Sequence, residues 1–265
     1  MKQMKFFLVA LMAVVMGMSV TSCMDGEENT IVPVAGIITL KSNFIQPEFQ
    51  VEGGGVTFIA NNMVEGLSNA QSGDIVFLSA QYDTKTQPVD QNTTKIYVDV
   101  SFAFQLNTYV STYNTTTENA NNLSNRSIMP LSEYQATPIM YGADWVVIPV
   151  LYYTEKAENK SQHSFTLVYL EDEEVKNSTL KLHLYHNSSE DIEKEKAINV
   201  SYLYESYKAF RISSLISKFK ENNNGQSPKS IVVVTQEASG KAIEIKEEAT
   251  GYTEREYTVQ NYTAK

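Results

Sequence analysis

The sequence predicts an all-β protein of two modules, a small barrel or curled sheet followed by an antiparallel β-sandwich. Three observations carry this. First, apolar and polar residues alternate along much of the chain, as they do when successive side chains of a half-buried strand point to opposite faces. Ile96, Val98, Val100, Phe102 and Phe104 are expected on one face of such a strand, with Tyr97, Asp99, Ser101 and Ala103 on the other. Second, turn-forming clusters punctuate the pattern, among them Gly53-Gly54-Gly55 and Ser72-Gly73-Asp74, whose residues tolerate dihedrals that others avoid. Third, residues 107–127 are mostly Asn, Thr and Ser, with few apolar groups to offset the entropy of ordering. The module junction is expected inside that stretch, between Leu106 and Ile128.

The chain begins with an address. Lys2 and Lys5 precede an apolar run from Phe6 to Val20, shorter than the roughly 20 residues a spanning helix needs. Residues 1–22 therefore read as a secretory signal. Val20-Thr21-Ser22 leads into Cys23, the single cysteine of the 265 residues. This run resembles the bacterial lipobox, which implies lipid attachment at Cys23 and excludes an intramolecular disulfide. Asp25, Glu27 and Glu28 follow in an acidic tether over 23–32 and resemble the export signal of surface-exposed Bacteroidetes lipoproteins. Loss of Lys2 and Lys5 with the signal takes the formal charge from −10 to −12. Anionic headgroups repel such a body, so membrane attachment is expected through the lipid alone. No nucleic-acid partner is expected either, because a phosphate-tracking groove needs a basic face.

The first module spans 33–106, with strands expected at 33–40, 44–51, 55–60, 75–82 and 96–104. The stretch 107–127 is expected to be a linker or loop. The second module spans 128–265, with strands expected at 145–153, 163–170, 179–186, 197–204, 208–213, 230–236, 241–247 and 256–262. Their Tyr, Val, Ile and Thr content suits a pleated surface. Pro149 cannot donate a ladder bond, so its strand is expected at an edge or with a bulge. A short helix is expected from Ser214 to about Glu221, with Leu215, Ile216 and Phe219 as its apolar face. Residues 186–196 are expected to form a surface turn.

Several segments together resemble the NigD-like lipoproteins of Bacteroidetes. They are the lipobox, Gly53 to Phe58 (GGGVTF), Gly73-Asp74-Ile75-Val76, Trp145 to Tyr153 (WVVIPVLYY), His163 to Tyr169 (HSFTLVY) and Thr179 to Asn187 (TLKLHLYHN). Ile75 departs from the pattern, where a basic residue would follow Gly-Asp. The resemblance implies an OB-like N-terminal barrel, a β-sandwich C-terminal domain and a cell-envelope lipoprotein linked to bacteriocin immunity. It implies no catalytic residues.

The residues themselves point the same way. His183 and His186 flank Leu184 in an alternating strand, so an offset of three puts their rings on opposite faces. His163 and His186 sit at strand ends and are expected to meet across a hairpin as a hydrogen-bonding pair. A catalytic zinc wants three protein ligands, and no third is evident. No nucleophile elbow, P-loop or EF-hand occurs. Glu171 to Glu174 reads as a solvated hairpin tip. Tyr152, Tyr153, Tyr202, Tyr204, Tyr207 and Trp145 are expected mainly in the core. The expected protein is non-enzymatic, with no catalytic residue, cofactor or metal. It is held at the outer membrane through Cys23, with a cell-surface orientation and another envelope or extracellular protein as partner. The alternatives are a glycan-binding surface lipoprotein and a fimbrial or adhesin-type subunit.

Overall fold

A computed structural model describes residues 30–134, 136–190, 202–238 and 252–264. Residues 1–29, with Cys23 and most of the expected tether, lie outside them, as does the strand expected over 241–247. Among the described residues no helix is long and apolar enough to cross a membrane. The chain forms two compact units that part between Leu106 and Asn107.

The first unit is a closed five-stranded barrel. Its strands are β1 (Ile31–Ser42), β2 (Glu48–Gln50), β3 (Thr57–Ala60), β4 (Ile75–Asp83) and β5 (Lys95–Gln105), in the order β1-β2-β3-β5-β4. The long β1 closes the barrel because it serves two neighbours. Ile31 to Thr39 pair with β4, and Thr39 to Ser42 pair with β2. β3 and β5 run parallel, and every other barrel pair is antiparallel. This is the OB-like topology, a partly Greek-key barrel without long free edges. Inward residues fill it, including Leu40, Phe49, Phe58, Leu78, Ile96 and Val98. Leu67 and Ala70, from the loop between β3 and β4, join the same core.

The alternation expected along β5 holds only to Val100. Ser79 of β4 faces Phe102, yet Ala80 faces Val100, so Ser101 has no opposite residue. That bulge inserts one residue and reverses the facing of everything beyond it. Ala103 is buried, while Phe102 and Phe104 are 50% and 41% exposed. Their rings pack with Phe77 in near-parallel planes, with centroids 5.5–6.3 Å apart.

The second unit holds two sheets. One contains β6 (Val110–Thr115), β9 (His163–Leu170), β10 (Thr179–Ser188), β12 (Ser230–Ala238) and β13 (Tyr252–Thr258), in the order β13-β12-β10-β9-β6. The other is β11-β8-β7, with β7 at Ile139–Tyr141, β8 at Trp145–Thr154 and β11 at Tyr202–Arg211. Both sheets feed one core, in which Val146, Ile148, Val150 and Tyr152 join Phe165, Leu167, Leu182 and Val233. The helix Ser213–Asn222 adds Leu215 and Phe219 to it.

Four expectations are corrected. Residues 107–127 are not linker or loop throughout: β6 pairs in parallel with β9 over Val110 to Thr115. An edge strand needs few apolar residues of its own when its neighbour supplies the core face, which is why composition hid it. Of the strand expected at 197–204 only 202–204 are described, and they join most of the one expected at 208–213 in a single strand, because Glu205 and Ser206 continue the ladder opposite Leu151 and Val150. Ile31 and Val32, placed in the tether, belong to β1. Pro149 lies in the middle strand of its sheet, but β7 reaches only Val147. No β7 residue therefore faces the missing N–H donor.

Candidate functional site

Two histidines at the open end of the β9–β10 hairpin, His163 and His186, meet in the sandwich interior. β10 alternates strictly, so Leu180, Leu182, Leu184, His186 and Ser188 all face inward. Register places Ser188 opposite His163 and His186 opposite Phe165. His163 Nδ1 lies 2.9 Å from His186 Nε2. His163 Nε2 lies 3.0 Å from Glu190 Oε2, and His186 Nδ1 lies 3.2 Å from the Ser127 carbonyl. The histidines are 1% and 3% exposed.

Proton positions follow from these contacts. A carbonyl only accepts, so His186 Nδ1 donates to Ser127 and, in the neutral ring, Nε2 accepts. His163 Nδ1 must then donate to His186. His163 Nε2 and Glu190 Oε2 consequently share one proton. Burial pulls His163 below its ordinary pKa, while the Glu190 charge and hydrogen bond pull it partly back. Burial, then the neighbouring His163, push His186 well below its ordinary value. The pair thus takes up no proton beyond the one His163 shares with Glu190.

Glu190 is anchored from other sides as well. Thr154 Oγ1 donates to its Oε1 at 2.9 Å, and the Glu155 N–H lies 3.1 Å from its Oε2. Arg126, itself buried, donates through Nη2 to the Glu190 carbonyl at 2.9 Å. The expected surface turn at 186–196 is corrected at this point. Its described residues 186–190 continue inward, and Glu190 is buried. The ring nitrogens are spent on one another and on fixed acceptors, so they do not converge on an ion. Among the described residues no group of three or more metal-ligating side chains forms.

Beside this knot, Lys208 places Nζ 5.5 Å from the Phe165 ring centre and 5.9 Å from that of Tyr109. Burial lowers its pKa to about 8. His183, on the other face of β10, hydrogen-bonds Glu173 at 2.7 Å. The acidic loop spends its carboxylates on neighbours. Asp172 accepts from the Thr117 N–H at 2.8 Å, and Glu171 bonds Asn114 and pairs with Lys218. Tyr152 lies in the core as expected, and Trp145 is half-buried.

The barrel supplies a site that sequence reasoning missed. Phe44, Ile45 and Met63 are 90%, 86% and 94% exposed. Ile45 and Met63 border a hollow of about 580 Å³, together with Pro47, Ala60 and Leu67. The loops that present them are braced. Asn43 Nδ2 donates to the Leu67 carbonyl at 2.7 Å. The Asn62 amide pairs with both backbone groups of Val100, at 2.8 and 2.9 Å. Gly66 has a φ of +89°, and a Cβ there would lie 2.7 Å from the Ala103 carbonyl oxygen. Phe44 and Ile45 open the strand expected over 44–51, but the strand is only Glu48–Gln50 and they lie in the loop before it. The turn residues Asn43 and Pro47 on either side were the available signal.

Solved structures share this two-unit fold. A candidate lipoprotein of Bacteroides fragilis is 20% identical, with a TM-score of 0.65, over 88% of this chain and 100% of that one. A protein of unknown function from Bacteroides vulgatus is 11% identical, with a TM-score of 0.53, over 86% and 90%. A NigD-like immunity protein of Bacteroides caccae is also matched, at 15% identity and a TM-score of 0.48 over 84% and 96%, too distant to add to the fold argument. No family model matches the chain, and no curated protein is matched.

Proposed function

We propose that this chain is a NigD-like lipoprotein, anchored at the outer membrane through Cys23, that acts by binding another envelope or extracellular protein. The barrel tip carries the reading. Three large apolar side chains stand almost fully in water on braced loops. Clustered exposed apolar groups of this kind mark interaction surfaces, and aromatic anchors commonly dominate such interfaces.

A protein suits the tip better than the bilayer. β1 runs from Ile31 to Ser42 and delivers the chain to Phe44, about 36 Å along the strand at ~3.3 Å per residue. The eight residues from Cys23 to Ile31 reach at most about 29 Å when fully extended. The chain thus enters the barrel at the end of β1 away from Phe44, which favours a protein over the bilayer as what covers the tip.

The test is site-specific photo-crosslinking in cells, on the full-length lipoprotein. A crosslinker at position 44 or 63 should trap one discrete protein, and one at Thr86, by the end where the chain enters the barrel, should not. Adding Ile45→Asp should abolish the product. Crosslinks to lipid, or equal products from Thr86, would overturn the reading. Cys23→Ser should release the protein from the membrane fraction, and unchanged fractionation would remove the anchor from the proposal.

A further inference from the structure

The outer face of the five-stranded sheet carries a cleft of about 1160 Å³ that neither the tip nor the buried histidines explain. Asn121 and Asn122 line it from the segment after β6, Tyr185 and Asn187 from β10, and Gln236 and Tyr252 from β12 and β13. We propose that this cleft binds a neutral oligosaccharide. The proposal does not depend on the role of the barrel tip.

The chemistry of the lining selects the ligand. Among the described lining residues there is no Lys or Arg, and His183 is already bonded to Glu173, so little there attracts an anion. Leu170 is the single aliphatic lining residue, which disfavours an apolar chain. What dominates is amide and hydroxyl. A carboxamide offers two donors and an acceptor with two lone pairs, which matches a sugar hydroxyl that both donates and accepts. Tyr185 and Tyr252 add ring faces of the kind that pack on apolar surface while their hydroxyls stay hydrogen-bonded. The volume exceeds the roughly 300–1,000 Å³ of pockets for drug-sized ligands, leaving room for several sugar units.

The polar groups are available. Asn125 is spent, since its amide braces both backbone groups near Ser188 at 2.8 Å. By contrast, the amides of Asn121, Asn122 and Asn187 make no hydrogen bond among the described residues. Gln236 Oε1 is buried without a partner among them, and buried acceptors normally find a donor. Burial and the nearby Glu254 push the Tyr185 phenol up to about 12, so it stays a donor at neutral pH. A cation fits poorly. Glu173 already serves His183 at 2.7 Å and Lys181 at 3.2 Å, leaving Glu254 as the other carboxylate of the lining.

The experiment is saturation-transfer NMR and calorimetry on the full mature protein in detergent. The probes are neutral tetra- to hexasaccharides of glucose, mannose, galactose, xylose and N-acetylglucosamine, with a sulfated oligosaccharide and calcium as controls. At least one neutral probe should bind. Asn122→Ala and Tyr252→Ala should each weaken it by about tenfold, the scale of one lost polar or stacking contact. Ile45→Asp, at the barrel tip, should leave it unchanged. Binding by no neutral probe, by sulfated sugar or calcium alone, or binding indifferent to both cleft variants would overturn the proposal. Circular dichroism of both variants separates lost binding from lost fold.

Discussion

The barrel tip and the sandwich interior invert the usual placement of side chains. At the tip, Phe44, Ile45 and Met63 sit in water. In the sandwich, His163, His186, Glu190, Arg126 and Lys208 are buried. The two inversions serve different ends. An exposed apolar group adds little to folding stability, and the free energy of its burial is available to a partner. A buried polar network costs desolvation and is tolerated only when its members satisfy one another. The tip is therefore where substitution should change binding without changing stability, and the knot is where the reverse should hold.

The largest effect is expected at the knot. Glu190→Ala removes the partner of His163 Nε2 and of the Glu155 N–H at once. Leaving such donors and acceptors unpaired in the interior should cost about 3 kcal/mol. Urea unfolding measures it, and a loss below about 1 kcal/mol would show that water replaces the carboxylate. Next comes Gly66→Ala, which puts a Cβ against the Ala103 carbonyl oxygen in a left-handed backbone. A cost of about 2 kcal/mol is expected, and this variant tests whether the tip's scaffold, as opposed to its apolar crown, carries stability.

A pH profile sharpens the contrast further. His186 is pushed well down by burial and then by His163, so the unfolded chain binds a proton there that the folded chain refuses, while His163 keeps the proton it shares with Glu190. The His186 contribution is complete above the ordinary histidine pKa of about 6.5. It is lost as pH falls from there towards the native value. The urea midpoint should therefore drop between pH 7 and pH 5.5, and His186→Gln should flatten that drop. A midpoint insensitive to pH across this window would mean that the shared proton compensates the burial of both rings.

How far the sequence revealed this division depends on the range of the signal. The alternating strands and the meeting of His163 with His186 were legible, because period and hairpin geometry are local. Glu190 was not. In HNSSEDIEKEK it looks like one more surface acid, and only the β10 register carries it inward to meet Thr154 and His163. The turn of Phe102 and Phe104 outward was hidden for a related reason. It depends on one unpaired residue, Ser101, opposite a strand 22 positions earlier in sequence. β6 was missed because its apolar support comes from β9, not from itself. Phe44 and Ile45 were visible as residues but misread, since apolar pairs in a loop look like the beginning of a strand.

The smallest expected effect discriminates best. Replacing Phe44, Ile45 and Met63 together by Ser removes three large side chains that make almost no burial in the folded chain. Surface changes of this kind shift stability by no more than about 0.5 kcal/mol each, so the unfolding curve of the triple variant should nearly overlay the parent's. A stability loss of several kcal/mol would mean that these groups support the barrel core, and the tip would cease to be a surface reserved for a partner. An overlaid curve together with loss of the crosslinked product would separate the two regions by function. One holds the fold together from inside, and the other contributes only when another molecule covers it.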